Sequence, residues 1–444
     1  MKRKTIRSLQ RIGLVLAALG AARPVAAQEI LKLEDIYRLT RERNPRMQAA
    51  AAVVNARRAI EPGAGLLPDP QLEIGAMNFS LPGLSADMPN SMVPAVQLMQ
   101  MLPLNGKLGL NRRIAEQSTA IARADANEAW WEVRAEAAMN FFDVYQADRE
   151  IAIMKETLKL LQDFRKVAQA MYSAGEGRQA DVLRAGVEVA RMEAEIKRME
   201  AMRTGAVARL NAVINQPAET ALGAPELPVL PASVPSVDTL RSWAESARPM
   251  LERGRTEVAQ AGSRLALAKK EIWPDFNVGV QYGQRRAAMA SADPTMPADY
   301  KTERMGSLTL GFTVPVFAGR RQLKMRAEAE AMRQMAQADL TRMRTQVDAR
   351  IGELVAELER NRTLVRLYRN EVLPQANANV QSAFSSYRVG QVDFMTLVDA
   401  QMTANKYKQE LAALLAGYGA DVAELEMTIG RELPVTTALR VEGN

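Results

Sequence analysis

The segment from Lys107 to Met171 contains no proline and has the composition of one continuous helix. At about 1.5 Å per residue, its roughly 65 residues would extend on the order of 100 Å, which is longer than the core of a globular domain. Large apolar residues recur in it at a narrow three-four spacing, at Ile151, Met154, Leu158 and Leu161. Most other positions are Ala, Arg, Glu or Gln. This pattern predicts long helices that pack side by side as coiled coils.

One order of motifs occurs twice along the chain. Each half has an Asn-Pro or Arg-Pro break, a helix, a Pro-Asp entry into extended chain ("LLPDPQLEIG" and "IWPDFNVGV"), two extended segments and a long helix ending at "YSAG" or "YRVG". Pro374 lies inside the second long helix, where a kink is expected. The motif order predicts an internal duplication, with a first repeat at 28–214, a proline-rich linker at 215–236, a second repeat at 237–430 and a tail at 431–444.

The four extended segments have the alternation of β-strands. In "FNVGVQYG" and "SLTLGFTVPV" large apolar residues alternate with small or polar ones. Such a pattern is typical of a half-buried sheet in a soluble protein, but strands of about ten residues also match a tilted outer-membrane span. Four strands cannot close a barrel, so several copies would have to pool their strands in a membrane. Three copies would give twelve strands, which favours a homotrimer. The predicted fold class is mainly α with a transmembrane β-barrel portion.

Residues 1–27 have the features of a secretory signal peptide, with a basic start, an apolar run at 12–22 and the small-residue pattern Val25-Ala26-Ala27. The apolar run is shorter than the roughly 18 residues that a membrane-spanning helix needs. Cleavage would remove several basic residues and no acidic one, so the net charge of +7 would fall close to neutral. The basic composition is therefore no indication of a nucleic-acid partner.

The chain contains no histidine and no cysteine. A catalytic triad would lack its usual base, disulfides and thiolate sites are excluded, and no phosphate-binding loop is present. We therefore expect no enzymatic activity, no cofactor and no tight Zn or Co site. Thioethers suit Cu(I), whereas methionine also fills gaps in helix seams, and both interpretations apply to the methionines near the first strand pair. These are Met77, Met88, Met92, Met99 and Met101.

The motifs "VPVFAGRR", "EVLPQANANVQSAFSSYRVGQVDF" and "LVDAQMTANKY", in this order within a duplicated chain, resemble the TolC-type outer-membrane factor family. The resemblance implies a trimer with a twelve-stranded β-barrel in the outer membrane. It also implies a long-helix α-barrel across the periplasm that docks onto a periplasmic adaptor and an inner-membrane pump, here expected to be of the RND type. The expected environment of the strands is outer-membrane lipid.

Two N-terminal stretches, "LLPDPQLEIGAMN" and "QLMQMLPLNGKLGLNRRIAE", are similar to the outer-membrane components of cobalt-zinc-cadmium and copper-silver resistance pumps. This similarity implies a duct that passively exports heavy-metal cations, although the N-terminal cysteine of the lipid-anchored copper-silver members is missing. The alternatives are the same duct in drug or solvent efflux and, from another class, a secreted coiled-coil structural protein or adhesin.

The family resemblance also implies where the functional residues lie. The chain would reverse direction at the "YSAG" and "YRVG" ends of the two long helices. These reversals would be periplasmic tips that meet the adaptor, at Tyr172, Gly175, Tyr387 and Gly390. A simple helix C-cap is the alternative interpretation of either glycine.

Just after each tip, members of the family carry acidic residues that form a narrow aperture. Asp399 and Asp181 match two of these positions. Thr396 and Val392 depart from the family pattern, so Arg178, Arg184 and Asp393 are candidates for replacing its closing contacts. In a trimer Asp399 would form a ring of carboxylates that favours cations; otherwise it is a solvated acid on a helix face.

Overall fold

The computed structural model describes residues 30–77, 92–288, 300–435 and 437–439. The predicted signal peptide, Met88 and parts of the strand-connecting loops and C-terminal tail lie outside the described residues. The first half contains α1 (Leu33–Arg43), α2 (Pro45–Ala64), β1 (Gln71–Met77), β2 (Met92–Leu102), α3 (Lys107–Ser173) and α4 (Gln179–Val213). The second contains α5 (Val237–Ala247), α6 (Pro249–Lys270), β3 (Phe276–Ala288), β4 (Tyr300–Phe312), α7 (Gln322–Leu367), a π-helical segment (Tyr368–Val372), α8 (Leu373–Arg388) and α9 (Phe394–Ile429).

The long helix of the first half is confirmed: α3 runs without interruption for 67 residues. It begins directly after Gly106, whose φ of 73° turns the chain out of β2. In the second half, α7 and α8 are joined through the π-helical segment, which ends immediately before Leu373 and Pro374. Because proline lacks an N–H and its ring clashes with the preceding turn, a regular α-helix cannot pass through this point unchanged.

The four strands form one antiparallel sheet in the order β1-β2-β3-β4, so the central β2–β3 pair joins the two halves of the chain. The predicted alternation is confirmed. Leu98, Val280 and Leu308 are aligned across three strands on the apolar face, whereas Gln97 and Gln281 are aligned on the polar face. The apolar face is open: Leu308 is 78% exposed.

The helices form a layer that continues from the sheet. Next to the sheet, α2 packs on α3, α3 on α6 and α6 on α7. Farther along, α4 packs on α3, α3 on α9 and α9 on α8. Within the described residues, no helix is long and apolar enough to cross a membrane.

Two buried clusters hold the helices together. The middle cluster joins both halves and includes Phe141, Phe142, Leu210, Ile351 and Tyr418. The second cluster lies between the two helical hairpins, α3–α4 and α8–α9. It contains the predicted seam residues Ile151, Met154 and Leu161, all buried, and Leu158, which is partly buried.

Candidate aperture and docking tips

Both helical hairpins reverse at a glycine with left-handed backbone conformation. Gly175 has φ of 79° and Gly390 has φ of 72°. At each reversal the glycine N–H donates to the backbone carbonyl of the tyrosine three residues earlier, Tyr172 or Tyr387. The N–H of the residue after the glycine donates to the carbonyl five residues before it, at 2.9 Å. This pair of bonds satisfies carbonyls that the helix end would leave free. A Cβ at either position would meet no atom within 4 Å, so lack of space does not explain the glycines. Glycine is favoured here because it accepts a positive φ.

The two tip tyrosines are not equivalent. Tyr172 is 42% exposed, whereas Tyr387 is 3% exposed and packs edge-to-face on Phe394, with ring centroids 5.6 Å apart. The Tyr387 hydroxyl is buried and has no hydrogen-bond partner among the described residues. Burial, with a smaller contribution from the charge of Asp181, raises the pKa of Tyr387. Tyr172 is therefore accessible in this chain, while Tyr387 stabilises the second reversal from inside.

Asp393 caps the helix that follows the second tip. Its Oδ1 atom accepts hydrogen bonds from the Thr396 N–H at 2.9 Å and from the Thr396 hydroxyl at 2.7 Å. These bonds, with the charges of Arg184 on α4 and of Arg178 directly before α4 as smaller contributions, lower the pKa of Asp393. This cap was not predicted, although Asp followed by Thr three residues later, next to an apolar helix start, is an N-cap signal.

Most of the candidate aperture residues are in contact with, or close to, other residues of the two tips. Asp393 lies near Arg184 of α4 and Arg178, which precedes α4, and Asp181 lies near the Tyr387 hydroxyl. Asp399 is exposed on α9, and its carboxylate forms no hydrogen bond or ion pair with another described residue. The Thr396 hydroxyl donates a hydrogen bond to Asp393. Val392 is partly buried in the second cluster, between the two helical hairpins. In the described ranges, no group of three His, Cys, Asp or Glu residues could hold a metal ion.

The chain is similar to known outer-membrane proteins in sequence and in fold. The model of the family described as outer membrane efflux protein matches residues 36–216 and 240–431. The fold is similar to VceC from Vibrio cholerae, with a TM-score of 0.74 at 16% identity over 90% of this chain and 96% of that one. For CusC the TM-score is 0.74 at 14% identity, over 90% of this chain and 92% of that one.

A third similar structure is the open state of the MtrE channel of Neisseria gonorrhoeae, with a TM-score of 0.72 at 16% identity over 90% of this chain and 89% of that one. Among curated proteins, no sequence matches the chain. The family, the fold class and the outer-membrane location predicted from the sequence are confirmed, and the family match favours a channel over the secreted coiled-coil alternative. The chain therefore belongs to the outer membrane efflux protein family, a family of channel-forming proteins and not of enzymes.

Proposed function

We propose that the chain is the outer-membrane duct of a tripartite efflux system and passively exports heavy-metal cations. Three copies pool their strands into a twelve-stranded barrel, and the long helices continue the duct into the periplasm. A periplasmic adaptor docks at the tips formed by Gly175 and Gly390, and an inner-membrane pump of the RND type delivers the cargo.

The observation that carries this proposal is the open apolar face of the sheet. Ile74 on β1, Leu98 on β2, Val280 on β3 and Leu308 on β4 are each at least 48% exposed. A continuous apolar surface of this kind is favourable against lipid and unfavourable in water. The sheet also has edges at β1 and β4, which lipid cannot satisfy. Pairing β4 of one copy with β1 of the next removes every edge when the ring closes.

The helical layer supports the same closure. Its edge helices next to the sheet are α2 and α7, and both expose apolar side chains. Val53 and Ile60 on α2 are 51% and 57% exposed, and Met332 and Met335 on α7 are 51% and 55% exposed. A head-to-tail ring would bury these two surfaces against each other in neighbouring copies.

The proposed cation cargo rests on the N-terminal similarity to metal-resistance components and on the acids that follow each tip. The Asp399 carboxylate has no partner among the residues that the structure describes, so a ring of three such carboxylates would concentrate cations at the aperture. Asp393, Arg178 and Arg184 are the proposed closing contacts, since Thr396 and Val392 serve the capping turn and the hairpin core.

Two measurements test assembly and conduction. The membrane-extracted protein is expected to migrate as a trimer on sodium dodecyl sulfate gels without boiling and as a monomer after boiling, and to form conducting pores in planar bilayers. A freely soluble monomer that gives no conductance would contradict the duct.

The cargo requires a separate test. Deleting the gene is expected to increase sensitivity to metals among Zn, Co, Cd, Cu and Ag, and the wild-type gene to restore tolerance. If the deletion increased sensitivity only to drugs or solvents, the duct would export those compounds and not metal cations. Unchanged metal tolerance under conditions in which the protein is expressed would contradict metal export.

A further inference from the structure

The methionines of the sheet all lie on its polar face. By strand register, Met77, Met92, Met99, Met101 and Met305 share the face that carries Gln97, Gln281 and Ser307. The apolar face carries Leu, Ile, Val, Phe and Tyr side chains together with a few polar ones, such as Gln100, Gln284 and Arg304, and in the described strands it contains no methionine. A methionine used as an apolar gap-filler belongs on the apolar face. The segregation therefore indicates that the thioethers are used for something other than packing.

Three of these thioethers converge on one segment of β3. Met77 and Met92 are cross-strand partners, and the Met77 sulfur lies 2.7 Å from the Gln281 side-chain nitrogen. The Met92 sulfur lies over Gly283: a Cβ added to Gly283 would be only 3.0 Å from this sulfur. Met305 is the cross-strand partner of Gly283 on the other side. The missing side chain at Gly283 leaves space into which sulfurs from both neighbouring strands can turn.

We infer that Met77, Met92 and Met305 form a binding site for a soft monovalent cation, Cu(I) or Ag(I), on the polar face of the sheet. Thioethers are soft, neutral ligands that favour Cu(I) over Zn, Co or other harder divalent ions. The inference deepens the proposed function and rests on it for the location of the site in the duct wall. The site lies at the end of the sheet farthest from the helices, where cargo would leave.

The charges around the three sulfurs give a divalent ion no advantage. A guanidinium nitrogen of Arg285 lies 3.9 Å from the Met305 sulfur, and Glu303 is the cross-strand partner of Arg285. Because this guanidinium and this carboxylate have opposite charges, their effects on a bound cation offset each other, and the softness of the thioethers sets the preference for a monovalent ion. Binding by neutral thioethers also releases no proton, so the affinity should not depend on pH between about 5.5 and 7.5. This distinguishes the site from one formed by carboxylates.

Silver titration of the purified full-length protein tests the site. Ag(I) is the probe because it shares the thioether preference of Cu(I) and stays in one oxidation state. The absence of cysteine and histidine from the chain removes the usual competing ligands. We expect one strong Ag(I) equivalent per chain at pH 7.5 and at pH 5.5. The combined variant Met77→Leu, Met92→Leu, Met305→Leu should weaken binding by at least about tenfold, because it removes all three sulfurs.

The matched control is Met99→Leu with Met101→Leu, which removes two thioethers from the same face outside the proposed site and should change the affinity less than about twofold. Equal conductance of all proteins in bilayers shows that the channel is intact. As a second measurement on the wild-type protein, three methionine ε-methyl NMR signals should shift on Ag(I) addition and be assigned to residues 77, 92 and 305 by single variants.

Several results would overturn the site: wild-type affinity in the combined variant, loss of binding at pH 5.5, an equal loss in the control, or shifts of other methionine signals. If metal export persists in any of these cases, the proposed function stands without this site.

Discussion

Gly419 of α9 lies directly against the ring of Phe142 of α3, so that a methyl group at residue 419 would overlap the ring. Phe142 is 2% exposed in the cluster that joins the two halves, and it has no room to move aside. We predict that Gly419→Ala lowers the free energy of unfolding by about 1–3 kcal/mol through overpacking. Urea denaturation of the detergent-solubilised protein measures the effect.

The control is Gly352→Ala in α7, where an added Cβ would meet nothing within 4 Å. This change should stabilise the helix by about 0.5–1 kcal/mol. Adding Phe142→Leu to Gly419→Ala should recover part of the lost stability. A neutral Gly419→Ala variant would contradict the packing argument.

The second tip depends on the backbone angle of Gly390, not on space around it. We predict that Gly390→Ala destabilises the hairpin by about 1–2 kcal/mol, because L-residues clash with their own carbonyl in the left-handed region. Gly390→Asn should cost less, since asparagine tolerates this region. Hydrogen exchange of α8 and α9 would report the loss locally, and Gly186→Ala, in open space within α4, is the neutral or stabilising control. Equal protection in the alanine and asparagine variants would count against the conformational explanation.

Asp421 gives the protein a pH-dependent stability. Burial, followed by the charge of Glu357, raises the pKa of Asp421 to about 6, although the Asn361 side chain donates a hydrogen bond to it at 2.8 Å. The folded state thus binds this proton more tightly than the unfolded state, in which the pKa is about 3.8. The stabilisation from protonation is fully present below pH 3.8 and is lost as the pH rises through about 6.

We therefore predict that Asp421→Asn raises the free energy of unfolding at pH 7.5 by on the order of 1 kcal/mol, and that this gain disappears near pH 4. Thermal unfolding across this pH range measures the difference. The control for removing one carboxylate is Asp238→Asn, because the side chain of Asp238 is 93% exposed. A gain that stays constant with pH would refute the raised pKa.

Asp399 is predicted to set ion selectivity. Asp399→Asn should lower the cation-to-anion permeability ratio in single-channel recordings, because a trimer loses three carboxylates at one level of the aperture. Asp238→Asn removes one acid per chain from α5, outside the long helices, and should leave the ratio unchanged. Identical selectivity in the Asp399→Asn and wild-type channels would mean that Asp399 is a solvated helix-face acid.

Local sequence determined the elements of this protein. The absence of proline between Lys107 and Met171 permitted one long helix, period-two alternation gave four strands with an apolar face, and a glycine placed each helical reversal. These features depend on backbone sterics and on residue spacing within a single element, so they can be predicted without knowing which other elements pack against it.

Only the tertiary structure decided how equivalent residues differ. Tyr172 and Tyr387 occupy the same motif, yet only Tyr387 is buried, because Phe394 packs against it. Register across four strands placed Met305 beside Gly283, far away in sequence from Met77 and Met92. Packing of α7 on α9 raised the pKa of Asp421. Burial, register and charge proximity arise from contacts between distant segments, and the spacing of residues along one chain carries no direct record of them.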